Sequence, residues 1–161
     1  MAAVKPIPDG YGSVTPYLVI KGAGRAMDWY KQALGAEEVF RMHSPDGRVM
    51  HGEIRIGDGV IMLCDEFPEM SSIWKSPESL GGVCATLWIY TEDCDALYNR
   101  AIAAGARGDM PPTDMFWGDR HGRFTDPFGH NWSLATHRED VAPEEMERRQ
   151  KEHLARMAST H

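Results

Sequence analysis

The stretch "VMHGEIRIG" (Val49–Gly57) places a histidine and a glutamate two residues apart. Residues two apart on a β-strand share a face. His51 and Glu53 therefore stand together with Arg55 beyond them, while Met50, Ile54 and Ile56 take the other face around Gly52. With the apolar face against a helix, the polar face opens to a ligand or to solvent. An imidazole beside a carboxylate can act as an acid–base pair, or supply two ligands to a metal ion, too few to hold it firmly alone. The plainer reading of the same residues is a polar strand face in which Glu53 pairs with Arg55.

Two further stretches are chemically rich. "DMFWGDRHG" (Asp114–Gly122) carries Phe116, Trp117 and Arg120. The Arg120 guanidinium can grip a carboxylate or phosphate with two parallel hydrogen bonds, or pair with Asp119 or Asp114 and fix the loop. "FTDPFGHNWSLATH" (Phe124–His137) is first a hairpin, because proline presets φ and Gly129 accepts the positive φ that closes the turn. After it Trp132 and Leu134 point one way, and Asn131, Ser133 and Ala135 the other. His130 at the tip is expected to be exposed, and His137 to be a surface or capping residue.

The elements that position these residues can be read from pattern. "SVTPYLVIK" (Ser13–Lys21) is a strand, with Pro16 suited to a sheet edge. A helix follows, with Met27, Tyr30 and Leu34 at helical spacing and Gly35 as its C-terminal stop. "EVFRMH" is a short strand, and the two strands of "VMHGEIRIG" and "VIMLCDE" are joined at "GDG". Residues 67–82 read as a long loop or linker. The order then repeats: "VCATLWIYT" as strand, "EDCDALYNRAIAAGA" as helix, an irregular segment or short strand through "DMPPTDMFWGDR", and the final hairpin. Ala26 and Gly35 match Ala96 and Gly105, and Thr15-Pro-Tyr17 matches Thr86-Leu-Trp88. A repeat near 70 residues gives an α+β fold class of two β-α-β-β-β modules. The domain spans 13–140, with module one at about 13–66, a linker at 67–82 and module two at about 83–137. An irregular arm covers 1–12, and a helical tail starts at Pro143 within 141–161.

Composition narrows the classes. The net charge is -7 with 25% charged residues, and no basic stripe appears, so nucleic acid is not an expected partner. No apolar run approaches the ~20 residues that span a bilayer, so no membrane partner is expected. The first residues lack an apolar signal core, so no secretory leader is expected. Cys64, Cys84 and Cys94 are three widely spaced cysteines without a CxxC, which fits a reducing cytoplasm rather than a disulfide framework.

The DPFG hairpin before the last strand, the two-fold β-α-β-β-β repeat and Trp29-Tyr30 in the first helix together resemble the vicinal oxygen chelate superfamily. That group includes glyoxalase I, extradiol dioxygenases, and bleomycin and fosfomycin resistance proteins. "MFWGDRHGRFTDPFGHNWSLATH" with "VMHGEIRIGDGVIMLCDE" is similar, more narrowly, to its PhnB-like branch. The resemblance covers residues 13–140. It implies modules forming a cupped mixed sheet, with a ligand cup often completed in a homodimer. It also implies one divalent ion held by His or Glu from the first and last strands of each module, acting as a Lewis acid. The matching positions here are Thr15, Met62 or a neighbour, Thr86 and Ser133. None is His or Glu, so no metal ligands and no cofactor are carried over.

The expected cup is lined by Tyr17, Trp88 and Tyr90, with Thr15, Thr86, Asn131 and Ser133 as polar tips and Phe116, Trp117 and Arg120 at the rim. Such a lining suits a small aromatic or amphipathic molecule. The expectation is a metal-free binding protein. The alternative is a lyase, isomerase or dioxygenase-type enzyme using His51 and Glu53, with or without Zn, Ni, Mn or Fe. A filled cup with a structural role is the third reading.

Overall fold

The computed structural model describes residues 4–159. Its elements are β1 (Tyr17–Val19), α1 (Ala23–Leu34), β2 (Glu37–His43), β3 (Val49–Ile56), β4 (Gly59–Cys64), α2 (Pro77–Leu80), β5 (Thr86–Tyr90), α3 (Cys94–Ala103), β6 (Arg107–Asp114), β7 (Asp119–Thr125), β8 (Asn131–His137) and α4 (Pro143–Ala158). They form two four-stranded mixed sheets in equivalent orders, β1-β4-β3-β2 and β5-β8-β7-β6. The outer pair β1–β4, like β5–β8, is parallel, and the remaining pairs are antiparallel. The repeat is therefore real, each half a β-α-β-β-β unit. The first unit comprises the chain up to Cys84 with Pro127–His130; the second comprises residues 85–126 and those from Asn131 onward.

In the first unit, α1 packs one side of the sheet. Ile20, Ala26, Met27, Tyr30, Ile54 and Leu63 are fully buried there. The close fit requires Gly52, because a Cβ at that position would lie 2.7 Å from Met27 Sδ. Asp65, itself buried, starts the helix from a distance. Its Oδ1 accepts from the Gly22 and Ala23 backbone N–H groups at 2.8 and 2.9 Å, and its Oδ2 from Val49 N–H at 2.8 Å. A carboxylate at this end satisfies orphan donors and complements the helix dipole. Gly35 closes the helix with φ 68°, as its position predicts.

In the second unit α3 packs the sheet over Phe124, Trp132 and Leu134, all fully buried. Asp93 caps α3 through Ala96 N–H at 2.9 Å, and Thr136 Oγ1 accepts from Cys94 N–H at 2.9 Å. Thr136 thus stands where the repeat places Asp65. The tail forms α4, in which no side chain is buried. It is tied down by Arg149, which binds the Glu139 carboxylate at 2.7 and 2.8 Å. Among the described residues no helix is long and apolar enough to cross a membrane.

Four expectations change. Residues 107–114 form a full strand despite Pro111 and Pro112, because β6 is a sheet edge and register shifts on both sides of Met110 absorb the missing donors. Residues 67–82 are not wholly irregular, since Ser76 caps the short helix α2. A register shift between Met42 and His43 lets Val49 take the buried side and turns Met50 outward. His130 is buried within the first unit, its Nε2 3.4 Å from the Val19 carbonyl oxygen. The hairpin tip is packed rather than free, with Phe128 6.3 Å from the Tyr30 ring and Gly129 tight against Pro77.

Candidate functional site

Each sheet has one side covered by its helix and one side without it, and the titratable side chains gather on the latter. In the first unit the pairing aligns Tyr17, Met62, Glu53 and Phe40 across all four strands. His51 lies beside them, held between two partners. Its Nε2 is 2.8 Å from Glu53 Oε1, and its Nδ1 is 3.1 Å from the Tyr17 hydroxyl. Tyr11 donates its hydroxyl proton to the other Glu53 oxygen. The result is a hydrogen-bonded chain Tyr17–His51–Glu53–Tyr11. Burial works to raise the Glu53 carboxyl, yet the hydrogen bonds from Tyr11 and His51 outweigh it and hold the group below the ordinary range. Burial first, then its neighbours, pushes the Tyr17 phenol well above its usual value. Trp74 reaches the same ring at 5.0 Å, and beside it lies a cavity of about 250 Å³ lined by Met50, Cys64, Phe67 and Met70.

In the second unit the equivalent row is Trp88, Ser133 and Arg123, and the next is Tyr90, Ala135 and His121. His121 is 6% exposed, and neither of its ring nitrogens has a hydrogen-bond partner among the described residues. Trp88 stacks on it with centroids 4.5 Å apart and planes 10° from parallel. Burial, then the Arg123 charge, depresses the imidazole's pKa against the pull of Asp119. Asp119, also buried, gathers three partners: the Tyr90 hydroxyl at 3.2 Å, Trp117 Nε1 at 3.2 Å and His137 Nδ1 at 2.7 Å. The Asp119 bond, then Asp140, raises the His137 pKa. A second cavity of about 300 Å³ opens along this face, lined by Thr86, Arg107, Asp109, Arg123, Thr125 and Asn131 among others.

A family model for the glyoxalase/bleomycin resistance protein/dioxygenase superfamily matches residues 12–134. The chain belongs to this superfamily. An uncharacterized protein of Mycobacterium bovis is 38% identical over 136 residues, 84% of this chain and 90% of that one. The protein YjdN of Escherichia coli is 24% identical over 142 residues, 75% of this chain and 92% of its own. Among solved structures, TioX from a Micromonospora species is 26% identical with a TM-score of 0.63, covering 78% of this chain and 99% of that one. The PhnB protein from Bacillus cereus has a TM-score of 0.61 at 19% identity, covering 78% and 99%, a likeness of fold.

Within this superfamily scaffold, several expected residues lie together. His51, Glu53 and Tyr17 share one helix-free face; Thr86, Trp88, Tyr90, Asn131 and Ser133 share the other. Thr15 precedes β1 and is half-buried. Phe116 and Trp117 pack edge-to-face in the turn before β7, Phe116 also meeting His153 of α4. Arg120 lies apart from them. It alternates away from His121 along β7 and binds Asp95 of α3 at 2.7 Å and Asp114 at 3.2 Å. Of its two expected roles, the structure supplies the ion pair, with Asp95 as the main partner. Sequence reasoning missed His121, Asp119, Trp74 and Tyr11. The first had a signal: "MHGEI" (Met50–Ile54) and "RHGRF" (Arg120–Phe124) are the same position in the two modules, so His51 and His121 are equivalents.

Proposed function

We propose that the chain binds a small planar molecule against the helix-free sides of its sheets, without the superfamily's metal. One observation carries this reading. Tyr17, Trp88 and Tyr90 stay 37%, 45% and 63% exposed on those sides, so they are not core filling. Large half-exposed rings on a rigid sheet are stacking platforms whose solvation is lost favourably to a flat ligand. The residues present do not fit the superfamily's ion. The pairing Tyr17–Met62 and Trp88–Ser133 puts a thioether and a hydroxyl where ligands are needed, with Thr15 and Thr86 at the other two positions. Among the described residues no three His, Cys, Asp or Glu side chains cluster as a metal group. The proposal extends to a cytoplasmic location and to a homodimer, the latter supported by the exposed apolar residues Val39, Phe40 and Met42 on edge strand β2. Sedimentation velocity tests the dimer.

The binding test is a thermal-shift screen of planar aromatic compounds on the wild type and on Trp88→Ala and Tyr17→Ala. A compound at 100 times its Kd adds about 2.7 kcal/mol of stability, and the variants lose that gain. Absence of any stabilising planar compound sinks the reading.

A second reading is favoured by the Tyr17–His51–Glu53–Tyr11 chain: His51 transfers a proton, with Glu53 orienting the ring and stabilising its charged form. Elemental analysis of chelator-free protein, beside His51→Ala, tests the metal-free part of the first reading. Near one equivalent of zinc, nickel, manganese or iron, lost in the variant, overturns the metal-free proposal and directs assays to lyase and isomerase chemistry.

A further inference from the structure

We propose that the helix-free side of the second unit takes an aromatic carboxylic acid, its carboxylate bound by Arg123 and its ring lying on Trp88. The inference rests on the planar-ligand reading and names the ligand's charge.

The charges in the cavity decide the sign. Arg107 and Asp109 neutralise each other, Arg107 Nε standing 3.2 Å from Asp109. Thr125 donates to the same aspartate at 2.7 Å. Arg123 is exposed and makes no ion pair among the described residues, so one cation is left over. A guanidinium offers a planar pair of donors that matches a carboxylate. Arg123 sits on the Trp88 row, separated from it only by Ser133. Two strand spacings put their Cα atoms roughly 10 Å apart, a span covered by the two side chains and one small aromatic acid.

The module comparison supplies an independent argument. Glu53 and Arg123 are the residues two beyond the equivalent histidines, on equivalent rows. The first unit uses its acid internally, bonded to His51 and Tyr11. The second carries a base at that place with nothing to bind. Its histidine cannot compete for an anion from where it lies, because His121 is buried and its nitrogens are closed to solvent. The imidazole instead backs the indole as a parallel plate, fixing the plane on which a ring would lie.

The test is calorimetric titration of the full chain with 2-naphthoate and with its neutral isostere 2-naphthamide. Wild type should bind the acid roughly tenfold or more tighter than the amide, the advantage of a charge-assisted pair. Arg123→Gln should erase that preference, Arg123→Lys should keep part of it, and Arg55→Gln on the first unit should leave it intact. Trp88→Ala should weaken both compounds. Equal affinity for acid and amide in the wild type overturns the carboxylate assignment and leaves planar binding standing, and so does a preference that survives Arg123→Gln. No binding of either compound overturns the carboxylate assignment, and the planar reading falls with it if the thermal-shift screen also finds no stabilising compound.

Discussion

Replacing His121 by phenylalanine should change how stability depends on pH. The imidazole is buried under Trp88 with two unpartnered nitrogens, and burial followed by the Arg123 charge depresses its pKa. The groups facing it are Asp119 and Arg123 on its own strand, Tyr90 on β5 and His137 on β8. With the folded pKa lowered, the unfolded chain binds the proton first. The histidine's contribution is intact above the unfolded value of about 6.5 and is lost as pH falls below it. If the folded ring stays neutral throughout, going from pH 7.5 to 5.5 costs the wild type up to about 1.4 kcal/mol through this residue. Phenylalanine keeps the stack and cannot titrate, so the variant escapes that loss. His137 pulls the other way, since its raised pKa stabilises the fold at low pH, but it is present in both proteins and cancels in the difference. Removing two unsatisfied nitrogens relieves about 1–3 kcal/mol each, which outweighs the about 1–3 kcal/mol cost of the larger ring, so at pH 7.5 the variant should be at least as stable as the wild type. Urea melts at pH 7.5 and 5.5 measure it. The reasoning fails if the stability gap between variant and wild type is the same at both values, or if the variant loses more on acidification.

Four further substitutions probe the scaffold and the first unit's polar face. Asp65→Ala strands three backbone donors at the start of α1 and on β3, and should cost more than about 3 kcal/mol in urea unfolding, whereas its counterpart Thr136→Val should cost about 1–2 kcal/mol. Gly52→Ala drives a methyl into Met27 and Leu63 and should lose about 1–3 kcal/mol, read by the same melts. Glu53→Gln should lower stability near neutral pH by about 1 kcal/mol, and the gap should close as pH falls through the depressed carboxyl pKa, because the wild type then loses its charged acceptor too.

Most of the architecture was legible because its signals are local. Alternation fixed which side Tyr17, Trp88, Asn131 and Ser133 occupy, Gly35 stopped α1, and the 70-residue repeat gave the β-α-β-β-β order. What escaped depends on partners far away in the chain. Asp65 looks like the ragged end of a strand until its oxygens meet Gly22, Ala23 and Val49. Met50 moves to the open side only because a register shift intervenes, and strict alternation has no means of foreseeing that. Pro111-Pro112 argued against a strand, and edge placement overrode it. His130 reads as an exposed tip by sequence alone, since its burial comes from Pro77 and Tyr30 contacts with the neighbouring Gly129 and Phe128. The site was half legible. His51 and Glu53 were visible as a pair, while His121 was hidden by being read as part of a hairpin.

The two histidine motifs explain how one scaffold can hold two chemistries. On the packed side both are constrained alike. Gly52 is pressed by Met27, and a Cβ at Gly122 would lie 3.0–3.2 Å from Pro112. Side-chain volume there has no room to differ. On the open side nothing enforces likeness, and the partners diverge: Tyr17 becomes Trp88, Met62 becomes Ser133, and Glu53 becomes Arg123. The consequence for the histidine is chemical. With a phenol and a carboxylate beside it, His51 has both nitrogens engaged in a chain able to pass a proton. With an indole and a guanidinium beside it, His121 loses its partners and becomes a flat, uncharged support for an aromatic ring. Because the acid's grip is placed on Arg123 and Trp88 of the second unit, His51→Ala should leave naphthoate affinity unchanged while Arg123→Gln removes its preference for the acid.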